Sequence, residues 1–198
     1  ISKSKLAIIL SQLKGFSSPK VGQEQYLMDG EVGASMLWNA YYLNDLEGKA
    51  IADFGCGTGM LGIGALLLGA RQVSFVELDK EALEIAKKNV SKLKSEGYKI
   101  GKAEFICMDI KKLEINAEIV IQNPPFGTKI KHQDAVFLEK ALETDPVVYS
   151  FHKSESKPFL EHFSGQKNAK MTHVWHFKFP LKATFSFHRR QIHRINAS

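Results

Sequence analysis

The chain has 198 residues, of which 44% are hydrophobic and 24% charged. These are ordinary values for one well-buried globular domain and leave little room for two. The most apolar stretch, residues 60–70, is broken by glycines and far shorter than a bilayer span. Nothing reads as a secretory signal, so a membrane role is excluded and a cytoplasmic location expected. The formal net charge is +6 and the pI about 9.2. That suits a polyanionic partner, because neutralising phosphates releases counterions. Cys56 and Cys107 have no metal-ligand spacing and read as reduced cysteines, so no metal is expected.

Taken in chain order, residues 4–13 carry apolar side chains at Leu6, Ile9, Leu10 and Leu13, a helical spacing. Gly15, Ser17, Ser18 and Pro19 break it, and residues 33–43 read as a second helix. From Lys49 the pattern becomes strand–helix alternation. Strands are expected at 50–54, 72–78, 103–108, 117–122 and 147–151, and helices at 61–68, 80–94 and 134–143. The tail adds strand-like runs at 172–179 and 191–197. Alternation implies a parallel sheet with crossover helices on both faces. The tail implies an antiparallel edge strand added to it. The expectation is one α/β domain, residues 1–198. In it a short helical N-terminal lid (1–45) covers a seven-stranded, mostly parallel core (46–198).

Two motifs carry chemistry. Asp53-Phe54-Gly55-Cys56-Gly57-Thr58-Gly59 follows a strand and opens a helix, where glycines permit a tight turn and close approach to a ligand. Gly55, Gly57 and Gly59 alternate, and Met60 stands where a dinucleotide fingerprint needs its last glycine. Alternating glycines behind Asp53 suit a nucleoside that carries an amino-acid cation better than a pyrophosphate, which a carboxylate would repel. Glu77 lies 24 positions after Asp53 and ends the next strand, where a carboxylate can accept from both ribose hydroxyls. Leu78 can lie against adenine. Asp79 reads as the N-cap of the following helix.

Asn123-Pro124-Pro125-Phe126 follows the strand that ends at Gln122. Two prolines fix φ and remove two N–H donors, so the segment is rigid and cannot extend a sheet. The Asn123 side-chain oxygen and the Pro124 carbonyl are both acceptors, and together they select an –NH₂ group. An aromatic amino group is a poor nucleophile because its lone pair is delocalised. Two acceptors can hold the nitrogen as it pyramidalises and aim the lone pair. Phe126 supplies a flat face on which a base can stack, and a base in a duplex would first have to be flipped out.

With these motifs the chain resembles the class I, Rossmann-like methyltransferases that use S-adenosylmethionine, in the branch that modifies amino groups. More closely, it is similar to the small-subunit rRNA adenine-N6 methyltransferases of the methyltransferase-like-five family and their archaeal relatives. The resemblance runs through Glu24-Gln25-Tyr26, Asn123-Pro124-Pro125-Phe126-Gly127-Thr128-Lys129, Tyr149-Ser150-Phe151-His152-Lys153-Ser154 and Phe185-Ser186-Phe187-His188-Arg189. It implies methyl transfer from S-adenosylmethionine to N6 of adenosine in structured RNA. Gln25, Asp53, Gly55, Gly57, Gly59, Glu77, Leu78, Asp109 and Asn123 would then hold the cofactor, with Asp109 accepting from the adenine amino group. Leu27 and Met28 depart from the family pattern, so a threonine contact to the cofactor's carboxylate is lost or replaced. A small zinc-containing activator protein is a further implied partner.

Lys129, Tyr149, His152, Lys153 and Arg189 are the candidate substrate contacts. For Tyr149 the alternative is core packing beside a strand, and for His152 a plain loop histidine. Lys129, Lys131, Lys153, Arg189, Arg190 and Arg194 form either a phosphate-binding rim or a solvated face. Trp175 and Phe177 alternate with Val174 and His176, the packing pattern of a half-exposed strand. Two other functions fit the same motifs less well: a protein glutamine N-methyltransferase, since a glutamine amide presents the same –NH₂ geometry, and a catalytically silent RNA-binding assembly factor. DNA adenine methylation lacks room for a target-recognition domain.

Overall fold

The computed structural model describes residues 1–17, 19, 28–125, 133–143, 146–178 and 189–197. For residues 133, 178 and 189–197 it describes the backbone alone. Gln25, Phe126 and Lys129 therefore lie outside the described residues. Two helices come first, α1 (Lys3–Ser11) and α2 (Gly30–Tyr42). The alternating core follows: β1 (Ala50–Phe54), α3 (Met60–Leu67), β2 (Gln72–Glu77), α4 (Lys80–Ser95), β3 (Lys102–Cys107), β4 (Ile119–Gln122), α5 (Gln133–Leu142) and β5 (Val147–Lys153). Then come α6 (Lys157–Gln166), β6 (Ala169–Lys178) and β7 (Arg189–Ala197).

One sheet holds all seven strands in the order β3-β2-β1-β4-β5-β7-β6. The first five in that order are parallel. β4 (Ile-Val-Ile-Gln) is buried along its whole length, as expected of a central parallel strand covered on both faces. The expected antiparallel edge strand is corrected. β7 runs against both neighbours, but it lies one place in from the edge, between β5 and β6. The edge strand is β6. Because β6 and β7 pair with each other and β7 also pairs with β5, the last strand fills an inner gap and leaves its predecessor outside.

Apolar side chains form one cluster on each face of the sheet. The larger joins α1, α2 and α3 to Ile51, Val73, Phe75, Ile121, Tyr149 and Phe151. The smaller puts Leu138 and Ala141 of α5 and Leu160 of α6 against Phe54, Val76, Val120 and Val148. The spacing read in residues 4–13 becomes the buried stripe Leu6, Ile9, Leu10 and Leu13, each such side chain contributing roughly 1.5–3 kcal/mol. α1 and α2 are thus packed into the larger cluster. Asp79 caps α4 by accepting from the Glu81 N–H at 3.0 Å, as its position suggested. α6 was not anticipated. Pro158 and Gly165 resemble breakers, yet proline is tolerated in a helix's first turn. Among the described residues no helix is long and apolar enough to cross a membrane.

Candidate active site

Strand register brings the two motifs together. Phe54 pairs with both Val76 and Gln122, so Gly55 and Asn123 leave adjacent strands side by side. Strand order reverses between β1 and β4, the switch point outside the carboxyl ends where open α/β sheets bind ligands. Glu77 pairs with Cys107 on the other side, which puts Asp109 just beyond the same edge.

The glycine turn is built as its sequence requires. Gly55, Gly57 and Gly59 have φ of +64°, +53° and +88°, the left-handed region that other residues enter at a cost. Two of them also face aromatic rings. A Cβ on Gly55 would lie 2.9 Å from Phe137 of α5, and one on Gly57 would lie 3.0 Å from Phe16. The turn is closed by the Gly59 N–H donating to the Cys56 carbonyl at 2.8 Å and the Cys56 N–H donating to Val76 at 3.0 Å.

Two carboxylates brace this turn from below. Asp53 is 1% exposed, and its Oδ2 accepts from the Gly62 N–H of α3 at 2.8 Å. A carboxylate at a helix N-terminus is favourably placed. Burial nevertheless pushes it up to about 7, against the Gly62 bond and with help from the charge of Glu77. Glu77 accepts from Gly57 N–H through Oε2 and from Asp79 N–H through Oε1, both at 2.9 Å. Burial raises its pKa as well, opposed by those bonds. The Glu77 carboxylate keeps lone-pair capacity beyond these bonds, which fits a ribose hydroxyl. Leu78 is exposed beside it. Cys56 is buried, and burial together with Asp53 and Glu77 holds its thiol well above its ordinary value, so it packs and does not react.

Asp109 accepts from the Lys111 N–H at 3.0 Å and caps a short 3₁₀ turn. Asn123 is half-buried, Pro124 buried and Pro125 half-buried. Met28, one of the two departures from the family pattern, packs in the core.

The reading of Tyr149 and His152 as substrate contacts is corrected. Tyr149 is fully buried, donates its hydroxyl hydrogen to Asp45 at 2.6 Å and stacks against Trp175. His152 is 1% exposed and lies 2.7 Å from Ser150 Oγ. Both stand on a central strand whose two faces are covered, so neither can meet a macromolecule. Lys153 is half-exposed at the end of β5, and Arg189 begins β7.

Four residues were not singled out from the sequence. Phe16 and Phe137 face the glycine turn, but isolated phenylalanines carry no signal of such a contact. Asn89, on the apolar face of α4, donates to the carbonyls of Thr58 and Lys14 and accepts from the Lys14 N–H. It ties the turn to the segment after α1, and a polar residue within an apolar stripe was its available sign. Gln122 ends β4 fully buried.

The site therefore combines a left-handed glycine turn, the buried carboxylate of Asp53, the carboxylate of Glu77 and the side chain of Asn123. These residues fit S-adenosylmethionine.

Comparison with known proteins agrees. The model of the methyltransferase small domain matches residues 31–144. A structure from Pyrococcus horikoshii, provisionally named an RNA methyltransferase, is 43% identical, with a TM-score of 0.88 over 98% of each chain. An uncharacterized protein of Methanocaldococcus jannaschii is 36% identical over 98% of this chain and 91% of its own length. The Drosophila melanogaster rRNA N6-adenosine methyltransferase Mettl5 is 32% identical over 94% of this chain and 89% of its own. The chain belongs to the methyltransferase small-domain family and is a class I methyltransferase whose methyl donor is S-adenosylmethionine.

Proposed function

We propose that the protein methylates N6 of adenosine in structured RNA, in the first place small-subunit rRNA, in the cytoplasm. The observation that carries this reading is the adjacency of Asn123 to Gly55 at the switch point, which puts an amino-group acceptor beside the cofactor turn. The names of the Drosophila and Pyrococcus relatives support RNA as the substrate.

The bound cofactor supplies an electrophilic methyl group on a sulfonium. Glu77 would accept from the ribose hydroxyls, Leu78 would cover adenine and Asp109 would accept from the adenine amino group. Gln25 would complete the cofactor contacts, and ionised Asp53 would balance the amino-acid ammonium. Asn123 Oδ1 and the Pro124 carbonyl would each accept one N–H bond of the target amino group and so orient its lone pair for methyl transfer. Phe126 would stack on the target base, and Lys129, Lys153 and Arg189 would contact the RNA phosphates. No general base is needed, because the methylated ammonium is strongly acidic and gives its proton to water. A small zinc-containing activator would add a strand to an open sheet edge, β3 or β6.

The deciding experiment is tritiated-methyl transfer from S-adenosylmethionine to total RNA, separated rRNAs, DNA and protein extract, with and without the activator homologue. Label recovered as N6-methyladenosine in small-subunit rRNA is the expected result. Label confined to protein, or to another nucleoside, overturns the reading.

A further inference from the structure

A buried polar chain crosses the smaller core under the Asn-Pro-Pro segment. Gln122 is the last residue of β4 and the one immediately before Asn123. Its Nε2 donates to Ser150 Oγ on β5 at 2.9 Å. Ser150 Oγ lies 2.7 Å from His152 Nε2 on the same strand. His152 Nδ1 lies 3.9 Å from Asp134 Oδ2 in the first turn of α5. Gln122, Ser150 and His152 are each no more than 1% exposed.

Ser150 Oγ accepts from Gln122 and shares a second hydrogen bond with His152 Nε2, so the hydroxyl joins the two side chains. The sequence Ser–His–Asp resembles a nucleophilic triad, but nothing can reach the hydroxyl of Ser150 and a glutamine already occupies it. The chain moves no group. It joins the residue just before Asn123 to β5 and brings His152 to 3.9 Å from Asp134 in the first turn of α5.

Stability alone does not explain it. Gln122 Oε1 is the one buried side-chain nitrogen or oxygen among the described residues that has no partner, a loss worth about 1–3 kcal/mol. An apolar set of the same volume would avoid that loss. Buried polar groups kept at such a cost are characteristic of sites where orientation matters.

We propose that Ser150 and His152 are positioning residues for methyl transfer, acting through Gln122 and Asp134 on the main chain at Asn123. The proposal rests on the amino-methyltransferase reading above. Neither residue touches substrate or cofactor. They set the direction of the Asn123 and Pro124 oxygens, and an error of about 1 Å in such a group can lower turnover by about 100-fold.

The test uses the full chain with RNA. Ser150→Ala removes one oxygen and creates almost no cavity. Its kcat should fall about tenfold, which corresponds to about 1.4 kcal/mol, while KM for RNA and Kd for S-adenosylmethionine stay within about twofold. His152→Leu should behave alike, and His152→Gln, which can still hydrogen-bond Ser150 and reach toward Asp134, should recover most of the loss. In an Asn123→Ala background Ser150→Ala should cost nothing further, because groups acting through one another are not additive. A folded Ser150→Ala protein with wild-type kcat overturns the proposal, as does full additivity with Asn123→Ala. If the wild-type chain transfers no methyl group to RNA, the functional reading falls and amide exchange decides this one by itself. Faster exchange confined to residues 119–125 and 133–138 in Ser150→Ala supports the positioning role. Unchanged exchange, or acceleration spread over the whole chain, overturns it.

Discussion

Glu118 sits at the amino ends of the parallel strands, Asp53 and Glu77 at the carboxyl ends, and the same sheet treats them in opposite ways. Glu118 is exposed. It accepts from the Ala50 N–H at 2.9 Å, from Lys49 at 3.1 Å and from Arg71 at 3.3 Å. Those bonds, the Ala50 N–H first, hold its carboxyl below the usual range. Asp53 and Glu77 are braced by the backbone N–H groups of Gly62, Gly57 and Asp79, and burial drives both upward. An exposed acid satisfied by one main-chain N–H, a lysine and an arginine is finished structure. An acid kept buried, raised and braced by main chain retains capacity for a cation or a hydroxyl, the pattern of a functional site.

The comparison breaks most visibly at Asn123, also on the carboxyl edge. Asn123→Ala should lower methyl transfer by on the order of 10²–10³-fold, the usual loss for one preorganised electrostatic contact. Melting temperature and cofactor affinity should stay near wild type. A folded, cofactor-binding variant with unchanged turnover would remove the proposed mechanism.

Next in size is Glu77→Ala, which deletes the proposed acceptors for the ribose and the observed acceptors for two backbone N–H groups. Charged hydrogen bonds of this kind contribute about 1.5–3 kcal/mol, so calorimetry should find S-adenosylmethionine bound at least about tenfold more weakly. Equal affinity would take Glu77 out of the ribose site.

A smaller effect concerns pH. The Asp53 carboxyl is raised in the fold from 3.8 to about 7, so the unfolded chain loses this proton first and the group's contribution to stability declines as pH rises from about 4 to 7. Cofactor binding has the opposite sign. In the proposed site the ligand's ammonium would favour ionised Asp53, so affinity should rise with pH up to about 7 and level off above it, with proton release on binding below that point. Calorimetry in two buffers of different ionisation enthalpy measures that release, and Asp53→Asn should abolish it. A pH-independent affinity in the wild-type chain would separate Asp53 from the ammonium.

The smallest effect belongs to the other end of the sheet. Glu118→Gln should cost no more than about 1 kcal/mol, because exposed ion pairs are screened by water and salt. It should leave cofactor affinity unchanged. A loss of cofactor affinity in this variant would show that the two edges are not independent.

Local pattern and short motifs determined much of this protein. The apolar spacing of α1, the amphipathic stripe of α4, the buried run of β4 and the cap at Asp79 are properties of neighbouring residues, and they were legible as such. So was the alternation that implies a parallel sheet. The glycine turn, Glu77 and the Asn123 motif were legible because each needs particular residue types at fixed offsets.

What tertiary structure alone decided involves residues distant in the chain. The inner place of β7 depends on which partner pairs better, and no local pattern encodes that choice. Tyr149 and His152 looked like surface chemistry because a motif with a histidine and a lysine reads as polar. Burial from both faces of the sheet converts them into a hydroxyl bonded to Asp45 and a link between Ser150 and Asp134. Phe16 and Phe137 reach the glycine turn only through packing. Secondary structure follows from contacts within a few residues, whereas the pairing of strands and the depth of a side chain follow from burial summed over the whole fold.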